Sequence, residues 1–272
     1  MKIHVLKVPY DSGHRCERMA RGPGYLLSNR ALEGFGAVVE PVETLLPFTT
    51  EVQTAFDLAL QIALRVGAVR QAGGFPLVLA GNCNSALGVI SALGPRDTGV
   101  LWFDAHGEFH TPETTSSGFF DGMPLAIATG RCWGPLAESI PGFQPLPEEN
   151  VVLVGVRDTD AREQSALEAS SIARPGVGGV AHALDALSER VKRLYVHLDL
   201  DALDPSEATS NQWVSPGGLK ISEVAEAIRQ ASFRIPIVAA TLASFDPSCD
   251  ADGRALRAAR ELLSVVVQEA SR

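Results

Sequence analysis

The apolar run Val100, Leu101, Trp102, Phe103 ends abruptly at Asp104, and His106, Glu108 and His110 follow at every second position. Side chains two residues apart on an extended chain share one face. This spacing therefore aims two carboxylates and two imidazoles into one small space. Such a cluster is costly to bury unless a cation neutralises it. Taken alone, the stretch also reads as a solvated polar loop after a strand. A second stretch decides between the two. Tyr195 to Pro205, YVHLDLDALDP, is another buried-looking strand that ends in carboxylates, Asp199, Asp201 and Asp204. Two strands ending this way predict a metal site assembled from several strand ends.

Apolar β-branched segments alternate with helical periodicity along the whole chain. Strands are expected near Lys2 to Val8, Ala37 to Val42, Pro76 to Ala80, Val151 to Val156, Leu194 to Leu200 and Ile235 to Leu242. Helices are expected over Thr50 to Ala72, after Gly81-Asn82-Cys83-Asn84-Ser85 to about Leu93, after Pro124, from Ala161, and over Ala181 to Val191, Ile221 to Ala231 and Gly253 to Glu269. Tyr10 to Tyr25 and Gly134 to Asn150 read as loops. Several strands are apolar on both faces, which implies a mainly parallel sheet covered on both sides. The chain has 272 residues, 46% of them hydrophobic, so it can bury one large α/β core, and no linker or repeat divides it. One domain over residues 1–272 is expected.

Other classes fit poorly. No continuous apolar run reaches the roughly 18 residues of a membrane span, and the polar stretch after Val8 does not read as a secretory signal. The net charge is −9 and no Lys/Arg cluster occurs, which argues against nucleic acid. Cys16, Cys83, Cys132 and Cys249 are scattered, the pattern of reduced thiols in a cytoplasmic protein.

The candidate ligands are Cys83, Asp104, His106, Glu108, Asp199 and Asp201. They are too many for one zinc ion. They suit two divalent cations bridged by carboxylates, and the oxygen-rich set favours Mn²⁺. Such a pair generates a nucleophilic water at neutral pH, so metal-assisted hydrolysis is the expected reaction class.

Asp104-Ala-His106-x-Glu108-x-His110-Thr-Pro, Ser117-Gly118, Gly122-x-Pro124 and Asp199-x-Asp201-x-x-Asp204-Pro205 resemble the motifs of the ureohydrolases, the arginase and agmatinase superfamily. Gly155-Val156-Arg157-Asp158, Pro216-Gly217-Gly218-Leu219 and Asp246-Pro247 fall in family order, so the resemblance covers nearly the whole chain. It implies a three-layer αβα sandwich. It implies that Asp104 and Asp199 bridge two Mn²⁺ ions, one also held by Cys83 and Glu108, the other by His106 and Asp201. His110, Thr115 and Ser117 match positions that recognise an α-carboxylate, and Asp160 matches one that contacts an α-amino group. A guanidino amino acid is thus the implied substrate, and a monomer the implied state.

The departures from the family are informative. Cys83 stands where arginases carry a metal-binding His. It is either a thiolate ligand, favoured by a helix N-terminus and a cation, or an inert buried thiol. Glu108 replaces an Asp. Asp121 replaces a His assigned to proton transfer, so either Asp121 is the general acid or the leaving group needs less help. Ser244 replaces a Glu that pairs with the guanidinium, and a charge-assisted pair is lost with it. That loss disfavours arginine and favours a less basic guanidine, Nω-hydroxy-L-arginine, giving hydroxyurea and L-ornithine. A general arginase and a non-catalytic relative that keeps the fold are the alternatives. His4 and His197 read as packed or edge strand residues rather than ligands, His182 as surface, Trp102 as core, and His14 and Trp213 as candidates to line the pocket.

Overall fold

The computed structural model describes residues 1–272. The first half runs β1 (Ile3–Val8), a small hairpin of β2 (Tyr10–Asp11) and β3 (His14–Arg15), α1 (Gly22–Ser28), β4 (Val38–Pro41), α2 (Glu51–Gln71), β5 (Phe75–Ala80), α3 (Ala86–Leu93) and β6 (Thr98–Phe103). The second half runs α4 (Pro124–Ala128), α5 (Gly134–Ala137), β7 (Val151–Val154), α6 (Ala161–Glu168), α7 (Val180–Ser188), β8 (Arg193–Asp199), α8 (Ile221–Ser232), β9 (Ile237–Ala243) and α9 (Arg254–Ala270). Seven strands form one sheet in the order β4-β1-β5-β9-β8-β6-β7, and every neighbouring pair is parallel.

Alternation along each strand builds the three layers. On β6, Leu101 and Phe103 join the core packed under α1, α7, α8 and α9, while Val100 and Trp102 join the core under α2, α3 and α4. On β8, Val196 and Leu198 face the first core and Tyr195 the second. Two apolar faces per strand are what a doubly covered parallel sheet requires. The fold is the αβα sandwich expected. Truncating a fully buried strand residue such as Phe103 should cost roughly 3–5 kcal/mol.

Local chemistry sets the helices that matter for the site. Thr50 starts α2, its hydroxyl accepting from Gln53 N–H at 3.2 Å, and the helix stops before Gly73 at φ +73. By length and composition α2 could cross a membrane, but 56% of its apolar stretch is buried inside the molecule. α3 crosses it closely at Gly88, where a Cβ would lie 2.4 Å from Ala59 O and 2.8 Å from Ile62 Cβ. Any side chain there would push α3, and the turn that precedes it, away from α2.

Two expectations fail. The Gly-rich segment after Tyr10 is not all loop: a 3₁₀ turn, Arg18–Arg21, runs into α1, with Pro23 in its first turn. Proline is at home there, because the missing N–H has no intrahelical partner anyway. One helical turn, α5, likewise interrupts the loop expected over 134–150.

Candidate active site

The site sits at the carboxyl ends of β5, β9, β8 and β6, four contiguous strands. Open parallel sheets bind ligands at such edges. Cys83 opens the 3₁₀ turn Cys83–Ser85 beyond β5. Asp104 follows β6, Asp199 ends β8, Asp201 lies in the 3₁₀ turn Leu200–Ala202, and Ser244 follows β9.

Convergence of residues 104–110 does not come from an extended chain. The strand stops at Phe103, and Glu108 has a left-handed backbone, φ +54. The loop is folded by hydrogen bonds to Asp104 and to Asp201 of the neighbouring strand end. His106 N–H donates to Asp104 Oδ1 at 2.8 Å, and Ala105 N–H to Asp201 Oδ1 at 3.3 Å. The Trp102 indole donates to Asp104 Oδ2 at 2.9 Å, and Asp201 N–H to Asp199 Oδ1 at 2.9 Å. Asp204 departs from the expected cluster. Its Oδ2 accepts from Gly217 N–H at 2.8 Å and Gly218 N–H at 3.1 Å, clasping a loop away from the cavity.

Two groups of potential ligand atoms form, Cys83/Asp104/Asp199 and Asp104/His106/Glu108, each within 4.8 Å and sharing Asp104. The Cys83 thiol donates to Asp199 Oδ2 at 2.9 Å and lies 3.9 Å from Asp104 Oδ2. His106 Nδ1 lies 3.3 Å from Asp104 Oδ1 and 3.6 Å from Asp201 Oδ2. Asp199 Oδ2 also accepts from Ser244 Oγ, and Asp201 Oδ2 from Asn211 Nδ2 at 3.2 Å.

This set fits divalent cations. Asp104, Glu108, Asp199 and Asp201 are buried together, and Glu108 Oε2 is buried with no partner at all. An orphaned carboxylate oxygen in a pocket of carboxylates lacks positive charge. Burial, then neighbouring carboxylates, pushes Glu108 and Asp199 well above the usual range and Asp201 up to about 6. His106 is the one basic group among them. Burial works against its charge, yet the hydrogen bond to Asp104 and the charge of Asp201 raise it to about 10. Cys83 differs from the depressed thiol expected at a helix start: burial and the surrounding carboxylates push it up. A cation among these carboxylates would offset that push.

Above this floor opens a cavity of about 240 Å³. Of the anticipated residues, His106, Glu108, His110, Thr115, Ser117, Asp121, Asp160, Asp199, Asp201 and Ser244 line it. Cys83 and Asp104 lie beneath, 1% and 0% exposed. At the mouth, Thr115 Oγ1 accepts from Gly118 N–H and Ser117 Oγ from Phe119 N–H, so this loop is held by its own hydroxyls. His110 Nδ1 lies 3.2 Å from Thr114 Oγ1, and its Nε2 is 3.7 Å from Asp160 Oδ2. Asp160 Oδ1 caps α6, accepting from Arg162 and Glu163 N–H at 2.9 Å. Those bonds hold the Asp160 carboxyl below the usual range. Asp121 accepts from Cys83 N–H at 3.1 Å and Asn84 N–H at 2.8 Å, so it also clasps the turn carrying Cys83. Burial nevertheless pushes its carboxyl well up.

Sequence reasoning missed several groups. Glu163, buried on α6, lines the cavity and takes Phe109 N–H at 2.9 Å; a lone acid in an amphipathic helix carries no signal of that. Asn211 ties Asp201 to the Ser244 carbonyl. Trp213 does line the cavity, stacked near Phe119 with centroids 6.0 Å apart. His14 does not line it: it is exposed and packs at a tilt against Phe48.

The model of the Arginase family matches residues 1–267. The arginase of Bacillus caldovelox is 38% identical over 176 residues, 60% of this chain and 58% of its own length, so the chain aligns with under two thirds of that relative. The arginase of Bacillus subtilis (strain 168) is 30% identical over 245 residues, 81% of this chain and 82% of its own. The native B. caldovelox arginase structure at pH 5.6 superimposes with a TM-score of 0.87 at 26% identity, covering 98% of both chains.

Proposed function

The chain belongs to the arginase family, and on that premise we propose that it is a dinuclear-manganese amidinohydrolase cleaving Nω-hydroxy-L-arginine to hydroxyurea and L-ornithine. The combination of Cys83, Asp121 and Ser244 resembles the activity that supplies hydroxyurea in D-cycloserine biosynthesis, and that role is proposed here. The reading takes residues 1–272 as one domain, acting as a cytoplasmic monomer.

One observation carries the substrate choice. Ser244 stands where the family's guanidinium-pairing carboxylate is expected, and its hydroxyl is committed to Asp199. The distal end of the substrate therefore gains no ion pair from this position, which favours a guanidine of lowered basicity over cationic arginine.

Cys83, Asp104, His106, Glu108, Asp199 and Asp201 would hold the two cations, which when bound supply an acidified water and offset charge developing at the guanidino carbon. The chain's own residues do the rest. His110, Thr115 and Ser117 take the substrate carboxylate at the cavity mouth, and Asp160 its amino group. That grip places the guanidino carbon over the floor and turns encounter into orientation. Water oxygen adds to the guanidino carbon, and the carbon–nitrogen bond to the ornithine side chain then breaks. Asp121, whose raised pKa suits a proton carrier, delivers the proton to the departing amine.

The test is to incubate the Mn²⁺-loaded protein separately with L-arginine and Nω-hydroxy-L-arginine, then quantify ornithine, urea and hydroxyurea. The expected result is hydroxyurea with little urea. Comparable turnover of arginine would instead make this a general arginase.

A further inference from the structure

Behind Cys83, on the side away from the cavity, lies a buried row of side chains. Trp102, His197 and Thr241 are cross-strand neighbours on β6, β8 and β9, and Tyr195 lies two residues before His197 on the same strand. All four are 0% exposed. The His197 ring stacks on Trp102 with centroids 3.8 Å apart. Its Nδ1 is 2.9 Å from the Tyr195 hydroxyl, which donates to Thr241 Oγ1 at 2.6 Å. Its Nε2 is 3.1 Å from Cys83 Sγ.

A buried imidazole with both nitrogens partnered and one face stacked cannot turn without losing hydrogen bonds it has no water to replace. It is a fixed post. Cysteine beside histidine is also the layout of a nucleophilic pair. Cys83, however, is 1% exposed and does not line the cavity, so substrate does not reach its sulfur. The sulfur faces Asp199 and Asp104 instead.

We infer that His197, braced by Tyr195, Thr241 and Trp102, is a positioning residue that aims the Cys83 sulfur at a cation held by Asp104 and Asp199. The inference rests on the reading of Cys83 as a metal ligand. Cysteine has a single χ angle, so one directional contact is enough to choose where its sulfur points. A thiolate only accepts hydrogen bonds, so the cation-bound state needs the Nε2–H tautomer. The bare Nδ1 then accepts from the Tyr195 hydroxyl, and Thr241 turns its own O–H to donate to the Tyr195 oxygen, since each hydroxyl can donate or accept. Outer-shell partners of this kind normally orient ligands and tune how strongly they bind.

Cobalt makes the arrangement visible, because a thiolate bound to Co²⁺ absorbs in the near ultraviolet. The wild-type band, lost in Cys83→Ser, identifies its source. His197→Phe keeps a ring against Trp102 and removes both nitrogens. It should shift and weaken the band and raise Kd for one of the two Co²⁺ ions about 10- to 100-fold, leaving the other unchanged. His197→Gln, whose amide can still donate to sulfur, should recover part of both. Tyr195→Phe removes a single hydroxyl and should move band and Kd in the same direction by less; it serves as the test should His197→Phe not fold. A Cys83-dependent band that stays put in these variants, with unchanged Kd, overturns the positioning role while leaving Cys83 a ligand. No band in wild type removes the ligand reading and this inference with it.

Discussion

Ser244 donates its hydroxyl to Asp199 Oδ2 at 2.5 Å, from a left-handed backbone at φ +63. Ser244 lines the cavity, and its hydroxyl is thus committed to a buried carboxylate of the floor. Non-glycine residues adopt such a backbone at a cost, so the contact is supported by the surrounding fold. A hydrogen bond to a charged group is worth about 1.5–3 kcal/mol. Ser244→Ala should therefore raise the Mn²⁺ Kd about 10- to 100-fold. Isothermal titration of metal-free protein measures it, and an unchanged Kd would show that Asp199 needs no such support.

Asp121 has two duties, and one substitution separates them. Asp121→Asn keeps an acceptor for one of the Cys83 and Asn84 amides and turns an N–H toward the other. Leaving a buried donor unpaired costs about 1–3 kcal/mol, so melting should move down by several degrees. Loss of a general acid should lower kcat roughly 10²- to 10⁴-fold with Mn²⁺ content unchanged. If kcat holds while melting falls, Asp121 is a clasp and carries no proton.

Asp160→Asn isolates a charge from a cap. Asparagine caps helices about as well as aspartate, so α6 should be preserved and stability should stay within about 1 kcal/mol. The carboxylate facing His110 and the cavity mouth is lost. KM should rise about tenfold with kcat little changed, because this contact is made equally in ground and transition states. A fall in kcat at constant KM would contradict that assignment.

The floor also makes stability depend on pH, with a definite sign. Burial raises Asp201 from 3.8 to about 6, so the folded metal-free protein binds this proton more tightly than the unfolded chain. The contribution is complete below 3.8 and lost as pH climbs through about 6, on the order of 3 kcal/mol. Asp199 and Glu108 are shifted in the same direction. Cations compete with those protons. The rise in Tm produced by Mn²⁺ should therefore grow from about pH 5 to about pH 7. Melting curves with and without Mn²⁺ at stepped pH decide it; an increment that shrinks over that interval excludes the carboxylate floor as its source.

The sequence by itself determined the sheet and the places where chemistry begins. Strands such as β6 and β8 are short apolar runs whose alternation reflects local backbone geometry, and Asp104 and Asp199 mark where burial yields to charge. Those are properties of neighbours along the chain. Tertiary structure decided the remainder. Asp201 enters the floor and Asp204 leaves it, though they are the same residue type three positions apart, because a 3₁₀ turn redirects the chain between them. Residues 104–110 converge through bonds to carboxylates rather than through strand period. Trp102 reads as core and His197 as a packed or edge strand residue, and both are core; strand register brings Trp102 beside His197, and the fold places Cys83 within reach of the His197 ring nitrogen. Contacts between residues about a hundred positions apart depend on how strands pair, and no local pattern records that.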